Sequence, residues 1–456
     1  MVSENMSKNM IERALDNACD TKVCLIGEGV LEQVPCLFNE QFEGALDAFV
    51  VCDPRTKAAA GERVTALLKD AGVAVSEHVL EPGGELVHAD YRYVEEIRVA
   101  IRRAIERSDG RTLIPVAVGS GVVNDLTKRA SGELGVPYMV CATAASMDGY
   151  SSFGASIRSP EGAKTTYACP APRVIVADLE VMRTAPAWMV ASGFADLLSK
   201  VTAGADWILA FELGAAEWHD RAWHTVQDGL PEAIGDPEGV AAMETVPLTK
   251  FVEGLMLGGF AMQDMQSSRP ASGAEHMFSH ILDMRNHTYR GASVSHGFQV
   301  GVYTHFMAKL YEEILAFDYT QLDVEACVAA WPEWSAEEAV VEKILAGTSL
   351  VEVGRTTTKK KYVDKAGQRA RLSDLKQRWS AIKARLEKQL LSAKEIERRL
   401  RVVGAPVHPE EIGATREQSL RDVMVAAHMR DRYNSLDFLY ATGQIDLFAQ
   451  RALAVR

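Results

Sequence analysis

Residues 113–131, LIPVAVGSGVVNDLTKRAS, change character halfway along. The first part is a continuous apolar run ending at Gly119, as expected of a strand buried on both faces. Gly119-Ser120-Gly121 follow, and then apolar and polar residues alternate at helical spacing. A strand, a glycine turn and a helix in that order bring unpaired N–H groups and the positive end of a helix dipole to one point. A phosphate or pyrophosphate can be held there. Gly121 is expected to leave the room that a pyrophosphate needs. Asn124 stands where a full G-x-G-x-x-G has its third glycine, so a plain tight turn is the alternative reading.

Outward from this stretch the pattern repeats. KVCLIG (22–27), DAFVVCD (47–53), VAVSEHVL (73–80), PYMVCAT (137–143) and RVIVAD (173–178) read as strands rich in Val and Ile, with helix-like segments between them. Such alternation predicts a mainly parallel sheet with helices on its faces, a Rossmann-like α/β domain over residues 1–183. After about residue 185 the strand signals stop. Apolar residues then recur at helical spacing, which predicts an all-helical domain over 184–456 and a ligand cleft between the two.

Two further features bear on a dinucleotide. Asp53 ends the second strand, where a carboxylate hydrogen-bonds an adenosine ribose; its alternative is a turn residue before Pro54. Arg55 is placed to accept a 2′-phosphate instead, which leaves NAD and NADP both open. CATAASMDGYSSFGAS (141–156) follows the next strand. It is dense in small residues and hydroxyls and carries one carboxylate, Asp148, with a surface turn as the alternative.

Five of the eleven histidines fall between 276 and 305. In ASGAEHMFSHILDM (271–284), His276 and His280 share a helix face. Glu275 is on the wrong side of His276 for the H-E-x-x-H of zinc proteases. His296 opens another apolar helical run. Asp196 in SGFADLLSK sits in apolar sequence, read as a first helical turn, where a charge is costly unless paired. Two histidines from these separate elements, with Asp196 as third ligand, would make a metal set with a position left open; structural histidines are the alternative.

Composition bounds the rest. The net charge of -13 argues against general binding to nucleic acid or anionic membranes. Seven scattered cysteines without C-x-x-C suit a reducing cytoplasm, and neither a signal layout nor a membrane-spanning apolar run is present. Residues 355–402 are basic and read as solvated helix; a nucleic-acid arm would have only Tyr362 and Trp379 as aromatic support.

Taken in order, GSGVVNDLTK, ATAASMDGY, GFADLLSK, SGAEHMFSH and SHGFQVG resemble the sn-glycerol-1-phosphate dehydrogenases. These sit within the superfamily of metal-dependent polyol dehydrogenases, iron-type alcohol dehydrogenases and dehydroquinate synthase. The tail RLRVVGAPVHPEEIG…RDRYNSLDFL is also similar. The resemblance implies a dehydroquinate synthase-like fold. It implies that Asp196, His276 and His296 hold one divalent ion, zinc before nickel or iron. Gly119, Ser120, Gly121, Val122, Val123, Thr143, Ser146 and Ser152 would line the NAD or NADP, and Asp148, Asp196 and His280 would meet the substrate, with His280 relaying a proton. The implied reaction interconverts dihydroxyacetone phosphate and sn-glycerol 1-phosphate, the metal acting as Lewis acid. Relatives carry a charged run such as H-G-E-K after the last ligand, where this chain has His296-Gly297-Phe298-Gln299. That departure bears on the substrate, and an unphosphorylated polyol such as glycerol is the alternative. A silent dinucleotide-binding protein is the reading outside enzymes. Lys164 and Lys200 are candidates for the substrate phosphate, and a homo-oligomer, a dimer first, is expected.

Overall fold

The structure, a computed structural model, describes residues 9–44, 46–82, 86–160, 164–348 and 350–454. Its sheet runs in the order β1 (Val23–Gly27), β8 (Val174–Asp178), β5 (Met139–Ala142), β4 (Thr112–Gly119), β2 (Leu46–Cys52), β3 (Ala74–Val79), and every neighbouring pair is parallel. The central strands β4, β5 and β8 are buried almost throughout, whereas the edge strand β3 is half exposed. That gradient explains why the former read as unbroken apolar runs and the latter carries Ser76, Glu77 and His78. Val50, Val116, Val118, Cys141, Val174 and Val176 pack with Val34, Phe38, Val64 and Leu68 from the helices to form the core under one face.

The chain travels one way along the sheet from β2 to β3, and the other way from β4 through β5 to β8. The crevice between the C-terminal ends of β2 and β4 is therefore a topological switch point, where α/β sheets bind ligands.

All six expected strands are present. Two hairpins were not expected. β6 (Ala155–Arg158) and β7 (Lys164–Tyr167) pair antiparallel; Ala155 and Ile157 are buried, but four residues are too few to stand out as a strand. Past residue 185, Thr288–Tyr289 pairs with Ala292–Ser293 across Arg290 and Gly291, both at positive φ. Such short strands are set by their turn, and leave no periodic signal.

The chain divides into two compact units, 1–197 with 221–268, and 198–220 with 269–456. This differs from a single cut at 183. In the first unit the Thr245–Met265 helix is tied to the α/β layers. Ser151 Oγ donates to Met256 O at 2.6 Å, and Gln263 Nε2 donates to Thr21 Oγ1 at 2.8 Å and to Ser151 O. The Ala187–Leu198 helix runs through the boundary between the units.

The second unit is helical apart from the short hairpin. Its basic segment forms the helices Val351–Lys361, Lys365–Gln389 and Ala393–Val402. Leu372, Leu375, Trp379, Ile382 and Leu386 of the long helix are buried. Its cations are paired: Arg355 with Glu338, Lys361 with Asp437, Arg369 with Glu325, Arg385 with Glu212, Arg401 with Glu411. Trp379 is core and Tyr362 stacks on Trp331, so neither is offered to a base. No helix among the described residues is long and apolar enough to cross a membrane.

Candidate active site

Three neighbouring strands end together at the switch point, β5 before Thr143, β4 at Gly119 and β2 before Asp53. Thr143 N donates to Gly119 O at 3.1 Å, which locks the two turns together. Ser120 is the N-cap of the Gly121–Leu134 helix in extended conformation and makes no side-chain capping bond. Val122 is half-buried, whereas Val123 is fully buried.

A Cβ on Gly121 would lie 2.7 Å from Met147 Cε and 3.0 Å from Met147 Cγ. Gly121 is thus packed against the Met147 side chain, which a larger residue there would meet. Asn124, in the place of the third glycine, is buried and accepts from Tyr138 OH at 3.0 Å. A hydrogen bond thus does there what close glycine packing does in a full motif.

Asp53 Oδ1 accepts from the backbone of Arg55 and Thr56, both at 2.8 Å, which makes Asp53 the N-cap of the short helix after β2. This is the turn role weighed from the sequence, and it occupies one carboxylate oxygen.

The 143–154 loop is built around a lysine that sequence reasoning did not single out. Lys128 is fully buried, and its Nζ donates to the carbonyl oxygens of Gly149 and Ser152, each at 2.9 Å, and Gly154 at 3.1 Å. Three fixed acceptors compensate the desolvated charge and set the loop's curvature. Ser152 Oγ donates to Gly149 O at 2.9 Å, and Tyr150 OH donates to Ala144 O at 2.7 Å. Ser146 and Asp148 remain half-buried. The signal was available: Asn124, Thr127 and Lys128 share the buried face of an otherwise amphipathic helix.

Asp196 is fully buried near the end of the Ala187–Leu198 helix, not in a first turn. Three residues earlier, a Cβ on Gly193 would overlap Ala145 O, so only glycine lets this helix press on the loop. Asp148 N then donates to Asp196 Oδ2 at 3.2 Å. One carboxylate oxygen is thereby oriented by the loop.

His276 and His280 lie one turn apart on the Ala274–Met284 helix, and His296 is the first residue of the His296–Ala316 helix. Ser295 caps the latter by accepting from Phe298 N at 3.3 Å. The His276 and His296 rings are 5.4 Å apart at 60°. Among the described residues, Asp196, His276 and His296 form a group able to hold a metal ion, with one ligand atom from each within 4.8 Å of the others.

Both imidazoles are held by their Nδ1 atoms. His276 Nδ1 meets Glu275 Oε1 at 2.8 Å, and a carboxylate only accepts, so Nδ1 carries the proton and Nε2 presents its lone pair. Glu275, the glutamate on the wrong side for a protease, has this as its role. It is fully buried and also accepts from Gly273 N at 2.6 Å and Thr202 Oγ1 at 3.0 Å. Burial pushes its carboxyl up, but the bonds from His276 and from backbone amides outweigh that and hold it below the usual range.

On the other side His296 Nδ1 meets Ser279 Oγ at 3.0 Å. Ser279 donates to Gln299 Oε1 at 2.8 Å, so its oxygen accepts from His296. The Gln299 amide is oriented in turn, since its Nε2 donates to Asp283 Oδ1 at 3.3 Å and Val294 O at 3.2 Å. Gln299, three residues after His296, is buried and supports that histidine through Ser279. The donor set fits a divalent ion: two imidazoles of fixed tautomer and one oriented carboxylate. The Lys164 side chain lies outside the described residues, and Lys200 is fully buried.

Residues 25–186 match the family model described as iron-containing alcohol dehydrogenase. The chain is similar to glycerol-1-phosphate dehydrogenase (NAD(P)+) of Halalkalibacterium halodurans, 32% identical over 63% of this chain and 70% of the relative. The protein of the same name from Pyrococcus horikoshii is 33% identical over 63% of this chain and 78% of its own. The fold is similar to that of glycerol dehydrogenase from Schizosaccharomyces pombe, with a TM-score of 0.56 at 15% identity, covering 95% of this chain and 90% of that one. The chain is an oxidoreductase and belongs to the glycerol-1-phosphate dehydrogenase family of the iron-containing alcohol dehydrogenases.

Proposed function

We propose that this protein is a nicotinamide- and metal-dependent dehydrogenase that interconverts dihydroxyacetone phosphate and sn-glycerol 1-phosphate. The observation that carries the reading is the grouping of Asp196, His276 and His296, with the Nδ1 atoms of both histidines held by Glu275 and Ser279. The names of the similar bacterial and archaeal proteins support the substrate.

Asp196, His276 and His296 hold the divalent ion, zinc before nickel or iron. Gly119, Ser120, Gly121, Val122, Val123, Thr143, Ser146 and Ser152 border the NAD or NADP, and Asp53 is placed for its ribose. When bound, the ion supplies Lewis acidity toward the reacting oxygen and the nicotinamide supplies or takes the hydride. The chain's own part is orientation and proton handling. Glu275 and the Ser279–Gln299 pair fix the ligand tautomers. Asp148 is assigned to substrate contact, and His280, one turn on from His276, to the proton transfer. A homodimer acting in the cytoplasm belongs to the same proposal, checked by light scattering and cell fractionation.

Kinetics of metal-loaded protein test the reading, with NADH and NADPH and with glycerol 1-phosphate beside glycerol. A hundredfold preference in kcat/KM for the phosphorylated substrate is expected, about 2.7 kcal/mol at ~1.36 per decade. Equal or better kcat/KM on glycerol would overturn it and promote the unphosphorylated polyol, the reading that the glycerol dehydrogenase neighbour favours.

A further inference from the structure

Asp206 is buried in the Lys200–Glu212 helix of the second unit, and three other helices of that unit share its carboxylate. Oδ2 accepts from Ala274 N at 2.8 Å. Oδ1 accepts from Tyr311 OH at 2.6 Å and from Ser435 N at 3.0 Å. Two of these donors belong to the helices that carry the candidate histidine ligands. Ala274 opens the Ala274–Met284 helix, and His276 stands two residues on, still in its first turn. Tyr311 lies on the His296–Ala316 helix, about four turns beyond His296. Ser435 opens the Ser435–Ala441 helix of the tail.

The first turn of a helix presents N–H groups with no partner inside the helix, and a side chain at the N-cap usually accepts from one of them. The N-cap before Ala274 is Gly273, which has no side chain to offer. Other residues take over: Glu275 accepts from Gly273 N at 2.6 Å, and Asp206 accepts from Ala274 N. The glycine is what admits Asp206, since a Cβ on Gly273 would lie 2.8 Å from Asp206 Oδ2. A helix start capped from a second helix is fixed relative to that helix and not only to its own chain. Because Tyr311 reaches the same carboxylate, the start of one histidine-bearing helix is tied to the body of the other. Metal–ligand distances tolerate shifts of only about 0.2 Å, so fraying at His276 would cost affinity directly.

We infer that Asp206 is a positioning residue for the metal centre: through Ala274 N and Tyr311 OH it sets His276 against His296, and through Ser435 N it ties the tail to that setting. The inference rests on the proposed role of Asp196, His276 and His296 in holding the ion.

Two variants of the full chain test it. Asp206→Asn keeps the size but has one acceptor oxygen, so its amide N–H2 faces at least one of the three donors. Tyr311→Phe removes the tie to the His296 helix and changes no charge at working pH, so a loss there is not the loss of a nearby anion. Zinc affinity is read by chelator competition at one pH, ligand geometry by the visible spectrum of the cobalt(II)-loaded protein, and stability by urea unfolding. Asp206→Asn should bind zinc roughly tenfold more weakly and Tyr311→Phe about threefold, and both should shift the cobalt bands. Val341→Ala opens a cavity on the Trp334–Ile344 helix and should lower stability while leaving zinc affinity and spectrum as in wild type. Wild-type affinity and spectrum in either test variant, or equal losses in Val341→Ala, would overturn the inference. If one test variant fails to fold, the other decides alone. A wild-type protein that binds no metal would overturn the proposed function and the positioning role together, whereas unchanged variants beside a metal-binding wild type overturn only the positioning role.

Discussion

Replacing Glu275 with Gln isolates what the carboxylate contributes to the metal centre. Glu275 Oε1 takes hydrogen bonds from Gly273 N and His276 Nδ1, and Oε2 takes one from Thr202 Oγ1. A glutamine can keep the first two at its carbonyl oxygen and donate to Thr202 from its amide. The fold and the ring orientation should therefore survive, and the loss is confined to the negative charge that makes His276 a stronger donor to a metal. Removing such outer partners costs roughly 10- to 100-fold in metal affinity, which is about 1.4 to 2.7 kcal/mol at ~1.36 per decade. Glu275→Ala should cost more, since it also strands the buried Gly273 N–H, a further ~1–3 kcal/mol in stability. Competition for zinc or nickel against a chromophoric chelator measures the affinity, and urea unfolding monitors the fold. Activity of the glutamine variant should largely return at saturating metal. Wild-type metal affinity in Glu275→Gln, with the fold intact, would refute the assignment.

Gln299→Leu should also weaken metal binding, by about tenfold, because Ser279 loses its acceptor and its hydroxyl can turn to donate to His296, favouring the wrong tautomer; the same chelator competition decides, and unchanged affinity counts against the relay. Lys128→Met removes the donor shared by three carbonyls and should cost about 3 kcal/mol and weaken NADH binding, read by urea unfolding and fluorescence titration. A variant as stable as wild type would remove the loop-organising role. Asp206 is pushed up to about 6, from an ordinary 3.8, by burial first and then by Glu275. A folded value above the unfolded one means its contribution to stability is full below about 3.8 and is lost as pH rises through about 6. Relative to Asp206→Asn, wild type should lose roughly 3 kcal/mol across that window; parallel stability curves for the two proteins would contradict it.

The sequence by itself determined the α/β layer. Strands buried on both faces must be apolar throughout, and helices that cover them must be amphipathic, so Val116, Val118, Val174 and Val176 announce their place through local pattern alone. It also pointed to Asp196, a carboxylate in apolar sequence that is costly unless used, and to the histidines crowded between 276 and 305; the motif resemblance narrowed these to Asp196, His276 and His296. What no pattern carried was the pairing of groups distant in the chain. Lys128 meets Gly149, Ser152 and Gly154 only once the strand–loop–helix folds back, and Gln299 reaches Ser279 only when two helices pack. The 288–293 hairpin follows the turn at Arg290 and Gly291, which leaves no periodic signal. The discontinuous first unit arises because residues 221–268 return to pack on parts of the chain more than a hundred positions earlier, through contacts such as Ser151 to Met256. Burial and hydrogen bonding are properties of neighbours in space, so only the tertiary structure could bring Lys128 to its three carbonyls and Gln299 to Ser279.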